Sequence, residues 1–200
     1  MMSETYTFVE GKLVNQFGQS VMMDWERPIM KKVSDILCSE GKRILNIGFG
    51  MGIVDTYIQE YKPDLHVIVE NNPVVEEKMR TDGWYSKPNV MVVYDRWQNV
   101  LEDIGEFDSI YLDTWNDHRV KYINTLLDSN LKVGGKFLMW YNKFEFDKIV
   151  SNLSENYSVS YEYVPNDNII PPANQQYEKG GFYIDPELEN ITIPIITKLK

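Results

Sequence analysis

Cysteine and histidine are scarce in this chain. Cys38 is the single cysteine among 200 residues, and there are two histidines. One cysteine cannot form an internal disulfide, and no cysteines, histidines and carboxylates cluster at the spacing of metal ligands. We therefore expect a reducing, cytoplasmic setting and no bound metal.

Basic residues are also few, with 20 Lys and Arg against 30 Asp and Glu, a net charge of -10 and a pI near 4.7. Phosphate backbones and anionic membrane surfaces attract the opposite charge, so neither a nucleic-acid partner nor a membrane partner is expected. The sequence has no apolar run near the roughly 20 residues of a membrane helix. Its first residues do not resemble a signal peptide. These absences predict a soluble intracellular protein.

Apolar segments that alternate with helical patterns dominate the chain after Pro28. Candidate strands lie at 43–47, 65–70, 90–94, 109–113 and 136–141. This alternation predicts an α/β fold with a seven-stranded, mostly parallel sheet and helices on both faces. The last two strands, 157–164 and 191–199, have no helix between them and predict a C-terminal antiparallel pair at the sheet edge.

Two segments fall outside this alternation. Residues 165–186 carry four prolines and two glycines, and a stretch of this length in a compact domain is either a substrate lid or a mobile surface loop. Residues 1–20 precede the helical patterns, and Tyr6 and Phe8 either fold over the site as a flap or belong to a disordered start. We therefore divide the chain into an N-terminal extension or flap at 1–20 and one main domain at 21–200.

A glycine-rich turn follows the first parallel strand. Gly48, Gly50 and Gly52 lie between a strand and a helix, where glycine allows a tight turn and the close approach of a ligand to the backbone. Glu70 ends the next strand, 22 residues after Gly48, where a carboxylate can accept the ribose hydroxyls of a nucleoside ligand. The pattern predicts a Rossmann-like nucleoside site. The alternative is a structural turn beside an exposed strand-end Glu.

The spacing of the glycines also bears on the cofactor. Ile53 occupies the position of the third glycine or alanine of a dinucleotide fingerprint, and no Gly-Lys-Ser/Thr follows, so neither NAD nor a phosphate-binding loop fits. We therefore predict S-adenosyl-L-methionine as the cofactor. Asp95, Arg96 and Trp97 follow the third strand, where the adenine is expected. Their alternative role is a helix cap followed by a core Trp.

Two acidic positions beside aromatic residues are candidate catalytic groups. Asp113 ends the fourth strand, and ligands of open parallel sheets bind beyond the carboxyl ends of the strands. Asp24 and Glu26 lie just before the first helix, on either side of a tryptophan. Their alternative role is that of ordinary helix-start charges, which the helix dipole favours.

Several of these stretches together resemble one family, that of guanidinoacetate N-methyltransferase and its arginine-methylating relatives. The resemblance covers roughly residues 17–200 and is carried by the segments 22–30, 44–52, 82–85, 97–101, 111–115 and 171–173. The combination of Met-x-x-Trp-Glu, Gly-Phe-Gly-Met-Gly and Tyr-x-Asp-Thr-aromatic is specific to this group. The glycine motif alone is not.

The resemblance implies roles for particular residues. In the family, the carboxylates that match Glu26 and Asp113 hold the substrate guanidine, and Trp115 is expected beside them. The cofactor-binding set expected from motif and resemblance together comprises Met22, Gly48, Gly50, Gly52, Glu70, Asn71, Asp95, Arg96, Trp97 and Asp113.

The chain also departs from the family pattern. Asn46 stands where guanidinoacetate enzymes commonly have Glu, although arginine-methylating relatives also show Asn. Trp115 stands where Tyr is usual, and Asp95 where Gly is usual. The stretch 136–142, which in the family helps to recognise the substrate's carboxylate end, is one residue longer here. The identity of the guanidino compound is therefore open.

The expected chemistry follows from the guanidinium group. A guanidinium stays protonated in water and has no free lone pair, so it is not a nucleophile. Glu26 and Asp113 would bind it as forked ion pairs, accept a proton and leave the third nitrogen able to attack the sulfonium methyl. The predicted function is S-adenosylmethionine-dependent N-methylation of the guanidino group of a small molecule such as guanidinoacetate or arginine, by a monomer or homodimer.

Three alternatives stand beside this function. A peptidyl arginine is the second substrate class, because the motifs resemble arginine-methylating relatives at least as well. An aminopropyltransferase shares the fold and uses a strand-end Asp, but it would need a further acidic lining. A non-catalytic S-adenosylmethionine-binding protein is the third, and the intact Glu26 and Asp113 argue against it. Of the histidines, His118 follows Asp113 and is a candidate substrate contact, whereas His66 is interpreted as a packing or edge residue.

Overall fold

A computed structural model describes residues 5–114, 119–165 and 190–200 of the chain. The strands in these residues are β1 Tyr6–Val9, β2 Lys12–Asn15, β3 Ser20–Met23, β4 Arg43–Ile47, β5 Leu65–Glu70, β6 Val90–Tyr94, β7 Phe107–Leu112, β8 Leu131–Met139, β9 Tyr157–Pro165 and β10 Asn190–Lys198. The α-helices are α1 Arg27–Leu37, α2 Ile53–Glu60, α3 Pro73–Thr81, α4 Trp97–Val100, α5 Arg119–Asn130 and α6 Lys143–Val150. Two single-turn 3-10 helices lie at Asp24–Glu26 and Trp84–Ser86.

A seven-stranded sheet in the order β6-β5-β4-β7-β8-β10-β9 forms the body of the protein. β4 pairs in parallel with β5 and β7, and the outer pairs β5–β6 and β7–β8 are parallel as well. β10 runs antiparallel to both β8 and β9. The predicted fold class is confirmed, including the antiparallel strand pair at the edge.

The direction in which strands are added reverses at β4. The chain leaves β4 toward β5 and β6 on one side, and it later enters β7 and β8 on the other. Open α/β sheets bind their ligands in the crevice at such a switch point, beyond the carboxyl ends of the strands. The ends of β4, β5 and β7 therefore mark the expected position of a site.

Alternate residues of the central strands serve two hydrophobic clusters, one on each face of the sheet. Ile44 and Ile68 belong to the cluster that includes residues of α1, α2 and α3, whereas Leu45 and Val67 belong to the cluster with residues of α5 and α6. In β4 every residue after the first is buried. Because both faces are covered, these strands have continuous apolar runs instead of a polar alternation.

The boundaries of two strands near the site differ from the sequence prediction. β7 ends at Leu112, one residue before Asp113. β8 begins at Leu131, five residues before the predicted start, because Leu131 already pairs with Phe107 of β7; a register shift then passes over the glycine-containing segment before pairing resumes at Lys136. Asp113 thus lies just beyond its strand, at the open edge of the sheet.

Helix α4 is shorter than the apolar pattern through Ile104 predicts. It is a single turn, Trp97–Val100. The buried Asn130 side-chain amide donates to the backbone oxygens of Leu101 at 2.7 Å and Gly105 at 2.8 Å. These two hydrogen bonds fix the turn that follows α4, so the chain bends there.

Residues 6–23 form a separate three-stranded antiparallel sheet, β1-β2-β3. The sequence pattern predicts no strands in this part of the chain. Tyr6 and Phe8 pack against the first hydrophobic cluster, and Lys78 Nζ of α3 lies 5.4 Å from the centroid of the Phe8 ring. β3 ends at Met23 and leads directly into the 3-10 turn that carries Glu26. The domain division at residue 20 stays a prediction.

Several predicted features lie outside the described residues, namely Trp115, His118 and the lid-or-loop segment after Pro165. Among the residues that the structure describes, no helix combines the length and apolar character needed to cross a bilayer. In the same residues, no three His, Cys, Asp or Glu side chains come together as metal ligands would.

Candidate active site

The glycine turn and Asp113 lie against each other at the carboxyl edge of the sheet. The Gly48 N–H donates to Val69 O and the Asp113 N–H donates to Ile47 O, each at 2.9 Å, which extends the pairing of β4 with β5 and β7. Gly48 has a φ of +93°, and a Cβ built on it would lie 2.0 Å from Asp113 O. Glycine is therefore required at this position by both the backbone conformation and the close packing.

Met22, at the end of β3, closes the other side of the turn. Its sulfur accepts a hydrogen bond from the Met51 N–H at 3.2 Å, and a Cβ on Gly50 would lie 3.0 Å from the same sulfur. Gly52, with a φ of +70°, begins α2. The glycines are thus needed for contacts within the protein as well as for any ligand. The structure brings Met22, predicted near the cofactor, into contact with the glycine turn.

Glu70, at the end of β5, is buried and surrounded by backbone donors. Its Oε2 accepts from the Phe49 N–H at 2.9 Å, and its Oε1 accepts from the N–H groups of Asn71 at 2.8 Å and Asn72 at 2.7 Å. Burial raises the pKa of the Glu70 carboxyl, and the backbone hydrogen bonds oppose that rise. The side chain therefore joins the glycine turn to the start of α3. Binding of a cofactor ribose by Glu70 and Asn71 stays a prediction.

The segment after β6 has the arrangement of a helix start. Asp95 is exposed, and its Oδ1 accepts from the Arg96 N–H at 2.6 Å and from Asn99 Nδ2 at 2.8 Å. Trp97 is only 3% exposed and packs in the second hydrophobic cluster, with its ring 6.0 Å from that of Tyr122. The structure agrees with the alternative of a core Trp, whereas Asp95 bonds to Arg96 and Asn99 without capping the helix, whose N-cap is Arg96. Contact of Asp95, Arg96 or Trp97 with an adenine stays a prediction.

Glu26 and Asp24 share one 3-10 turn but have different surroundings. The Asp24 side chain is about half exposed and forms an ion pair with Arg27 at 2.6 Å. Glu26 is only 3% exposed, and its Oε1 accepts from the Met23 N–H at 2.8 Å. Burial raises the pKa of the Glu26 carboxyl well above its usual range, and the negative charge of Asp113 raises it further. The role of an exposed helix-start charge therefore fits Asp24 and does not fit Glu26.

Asp113 is half-buried at the end of β7. Burial raises the pKa of the Asp113 carboxyl to about 6, while the positive charge of Arg119 and the Tyr111 hydroxyl lower it. The Tyr111 hydroxyl lies 3.5 Å from Asp113 Oδ2. The charge of Asp113 also raises the pKa of Glu26, so these two carboxylates, far apart in the sequence, lie within electrostatic range of each other.

Two further residues at this position were not identified from the sequence. Tyr111 is 1% exposed, and burial together with the charges of Asp113 and Glu26 raises the pKa of its phenol. Tyr111 lies two residues before Asp113 on the same strand, so the two-residue period of a strand could have indicated that both point to one face. Arg119 donates through Nε to Glu145 Oε2 at 2.9 Å and through a terminal nitrogen to Thr114 O at 3.2 Å. This ion pair ties α5 to α6 beside the end of β7.

The arrangement suits a cation next to a nucleoside. Buried acids with raised pKa values are stabilised as carboxylates when a positive charge binds between them. A guanidinium supplies both the charge and paired N–H donors for two carboxylates. The Glu70 carboxylate can accept hydrogen bonds from ribose hydroxyls, and the glycine turn lets a ligand approach the backbone closely. The residues present therefore fit S-adenosylmethionine.

Comparisons with solved structures first define the class. A SAH-bound methyltransferase from Podospora anserina matches with a TM-score of 0.59 at 18% identity, over 88% of this chain and 78% of that chain. Spermidine synthase from Thermotoga maritima matches with a TM-score of 0.62 at 13% identity, over 98% of this chain and 72% of that one. At these identities the likeness concerns the fold alone. The chain has the Rossmann-like fold of S-adenosylmethionine-dependent methyltransferases.

Sequence comparisons then define the family. The model of guanidinoacetate N-methyltransferase matches residues 4–162. Protein arginine N-methyltransferase 2 of Candida glabrata is 48% identical over 121 residues, which are 56% of this chain and 29% of that protein. The protein of the same name from Kluyveromyces lactis is 36% identical over 192 residues, which are 84% of this chain and 47% of that protein. The chain belongs to the guanidinoacetate N-methyltransferase family, which confirms the resemblance, and it spans less than half the length of these relatives.

Proposed function

We propose that this chain is an S-adenosylmethionine-dependent N-methyltransferase that acts on a guanidino group. The observation that carries the proposal is the pair of carboxylates at the switch point, Glu26 and Asp113, whose pKa values are both raised by burial. A buried acidic pair is costly unless a cation compensates it. The substrate guanidinium supplies this cation.

The two carboxylates have a direct role in making the substrate a nucleophile. A forked ion pair with each carboxylate draws the positive charge onto two of the three guanidinium nitrogens. The pKa of Asp113 is about 6, above that of an exposed aspartate. Asp113 is therefore a better proton acceptor than an exposed aspartate. Once a proton is accepted there, the third nitrogen has a lone pair. Holding that nitrogen in line with the methyl group supplies the remaining rate enhancement by proximity.

The cofactor would lie over the glycine turn. S-adenosylmethionine supplies an electrophilic methyl group on a sulfonium when it is bound. Glu70 would accept the ribose hydroxyls, with Asn71 beside it, and Met22 and the glycines Gly48, Gly50 and Gly52 would line the turn. Asp95, Arg96 and Trp97 would contribute to the adenine end, and Trp115 to the substrate side. The N–H groups around Glu70 hold its carboxylate in place before any ligand arrives.

The substrate is either a small guanidino compound or the side chain of an arginine in a peptide. The family description supports the first, since guanidinoacetate is a small molecule. The names of the curated relatives support the second, since they are protein arginine N-methyltransferases. Asn46 at the end of β4 also favours arginine methylation, because guanidinoacetate enzymes commonly have Glu at this position.

The test uses labelled S-adenosylmethionine with guanidinoacetate, free arginine and an arginine-containing peptide, and identifies the product by mass. We expect one of these substrates to gain a methyl group on a guanidine nitrogen. Glu26→Gln should lose product formation, whereas the matched variant Asp24→Asn, on the same turn but about half exposed, should retain it. Cofactor binding without a methylated product from any of the three would contradict the proposal and favour a non-catalytic binding protein.

A further inference from the structure

A second polar group of residues lies inside the protein, behind the glycine turn. We call it the buried network, and it consists of Asn46 on β4, Asp55 and Gln59 on α2, and His66 on β5. Asn46, Asp55 and His66 are each 0% exposed. Burying three polar side chains is costly unless they satisfy one another. The sequence pattern predicted a packing role for His66 and no role for Asp55 or Gln59.

Asn46 joins the buried network to the glycine turn. Its Nδ2 donates to Gly48 O at 3.0 Å and to Asp55 Oδ1 at 2.8 Å. The Gly48 N–H already donates to Val69 O at 2.9 Å. The first glycine of the turn is therefore held at both its N–H and its carbonyl. An ionised carboxylate at position 46 would have no proton to donate to Gly48 O.

The other members of the network set the direction of the Asn46 amide. An ionised Asp55 only accepts, so the nitrogen and not the oxygen of the amide must face it. Asp55 Oδ1 also lies 3.1 Å from His66 Nε2. Gln59 Nε2 lies 3.0 Å from His66 Nδ1, and since an amide nitrogen donates, Nδ1 accepts and the ring proton is on Nε2. Nε2 lies close to Asp55 without the geometry of a hydrogen bond. The hydrogen bonds that reach the glycine turn therefore run from Asp55 through Asn46 to Gly48 O, and His66 packs beside Asp55.

The position of Gly48 matters for the site because it packs directly on the strand end that carries Asp113. A Cβ at Gly48 would lie 2.0 Å from Asp113 O, so the turn cannot shift toward β7, and a shift away would separate the turn from Asp113. Glu70 is bound to the same turn through the Phe49 N–H. A small movement of Gly48 would therefore displace the turn relative to both the predicted ribose ligand and the predicted guanidine ligand.

We propose that Asn46 and Asp55 are positioning residues, which hold the Gly48 carbonyl and thereby set the cofactor affinity of the glycine turn. The proposal rests on the proposed function in that the turn binds S-adenosylmethionine. It assigns these residues no contact with the reacting atoms. Loss of the network should raise the Kd and the KM for the cofactor by a larger factor than it changes kcat at saturating cofactor, and loss of the Asp55 charge should also lower the pKa of Asp113.

The decisive experiment compares S-adenosylhomocysteine binding, by calorimetry, with thermal stability for two substitutions alone and combined. Asn46→Asp removes the donor to Gly48 O and should weaken binding about tenfold, the effect of one lost hydrogen bond near a buried carbonyl. Asp55→Asn keeps the shape but lets the Asn46 amide face either way, and it should weaken binding about threefold. The combined variant again has one carboxylate and one amide, now with the carboxylate at position 46 and the amide at position 55. Position 46 still has no donor for Gly48 O.

The combined variant separates positioning from stability. We expect it to recover melting temperature relative to Asn46→Asp while its cofactor affinity stays low. Recovery of wild-type affinity in the combined variant would overturn the proposal. It would mean that one carboxylate and one amide in the pair are enough for cofactor binding, without a donor to Gly48 O. Unchanged affinity in Asn46→Asp would overturn it as well. Ile58→Val, a fully buried apolar change on α2, serves as the control that lowers melting temperature without altering affinity.

The outcome also distinguishes the two proposals. If the wild-type chain binds S-adenosylhomocysteine but methylates no guanidino compound, the proposed function fails, and the affinities of the variants still decide the role of the network. If the wild-type chain does not bind S-adenosylhomocysteine, both proposals fail together.

Discussion

Glu70 and Asp113 lie at the ends of the two strands that flank β4, and burial raises the pKa of both, yet their partners differ. Glu70 has backbone N–H donors at 2.9, 2.8 and 2.7 Å. Asp113 has the Tyr111 hydroxyl at 3.5 Å and the charge of Arg119, which lower its pKa, and the charge of Asp55, which raises it; Asp113 in turn raises the pKa of the buried acid Glu26. The Glu70 carboxylate is held by backbone N–H groups. The Asp113 carboxylate belongs to an acidic pair that a bound cation would stabilise.

This contrast indicates that the two carboxylates at this sheet edge have different functions. A carboxylate fixed by backbone donors keeps its position whether or not a ligand is bound, which suits the recognition of neutral hydroxyls. An acidic pair with raised pKa values changes its charge state with its surroundings, which suits the binding of a cation and the acceptance of a proton. Substitutions at the two positions should therefore affect different measured quantities.

The largest effect is expected for Asp113→Asn. Removing the proton acceptor should lower kcat by about 10³-fold. The Kd for S-adenosylhomocysteine should change by less than about threefold, since the interaction that is lost is the one between the Asp113 carboxylate and the substrate guanidinium. Steady-state kinetics and calorimetry measure the two quantities. Asp103→Asn, an exposed acid, is the control, and turnover close to wild type in Asp113→Asn would contradict the assignment.

Glu70→Gln should have the opposite profile. The neutral side chain loses the charge-assisted hydrogen bonds with the backbone, and we expect the Kd for S-adenosylhomocysteine to rise about 10- to 100-fold. At saturating cofactor, kcat should stay near that of the wild type. Glu77→Gln, an exposed acid on α3, controls for charge. A fall in kcat with unchanged affinity would remove the distinction between the two carboxylates.

The pH dependence of turnover should report the Asp113 carboxyl. Its pKa in the folded protein is about 6, so the carboxylate that binds the guanidinium is lost as the pH falls through 6. We expect kcat/KM to decrease by at least about tenfold for each pH unit below that value, because the Glu26 carboxylate, whose pKa is also raised, is required as well. A profile that stays flat down to pH 5 would show that Asp113 is not this group.

Tyr111→Phe should change the same profile by a smaller amount. The Tyr111 hydroxyl lowers the pKa of Asp113, so its removal should move the acidic limb of the kcat/KM profile to higher pH. At pH 8, where the carboxylate is ionised in both proteins, the loss in kcat/KM should be about twofold to tenfold. Tyr122→Phe, which lies on α5 and contacts Trp97, is the control. An unshifted limb would restrict Tyr111 to packing.

The smallest effect is expected for Arg27→Ala. The Arg27–Asp24 pair is about half exposed, with side chains 49% and 45% accessible. Exposed ion pairs contribute little, so the free energy of unfolding should change by at most about 1 kcal/mol, and kcat should not change. Urea unfolding and a rate assay are sufficient. A large loss of activity would mean that the exposed and buried acids of this turn act together.

The predictability of the fold differed between the two ends of the chain. The strands at 43–47, 65–70 and 90–94 coincide with β4, β5 and β6, because continuous apolar runs between helical patterns are characteristic of a covered parallel sheet. The three short strands of residues 6–23 have no such runs. Their packing depends on α3 and on the first hydrophobic cluster, both of which are distant in sequence.

Within the site as well, features set by local spacing could be predicted and features set by distant contacts could not. Glu70 could be located from its spacing to Gly48, since strand length and turn length determine where the second strand ends. The sequence left open whether Asp24 and Glu26 were both helix-start charges. Only the folded structure buries Glu26 and leaves Asp24 paired with Arg27 at the surface. Asp95 and Trp97 also had two open roles, and the structure shows Trp97 in the core and Asp95 bonded to Asn99, while the adenine contact stays a prediction.

The sequence by itself determined the class of fold, the glycine turn and the identity of the acids at the strand ends, because these follow from apolar periodicity and short-range spacing. The tertiary structure alone decided which acids share one space, how far burial raises their pKa values, and that Asn46, Asp55 and His66 meet behind the turn. The physical reason is that burial and electrostatic coupling depend on distances between strands and helices, and no local pattern encodes those distances.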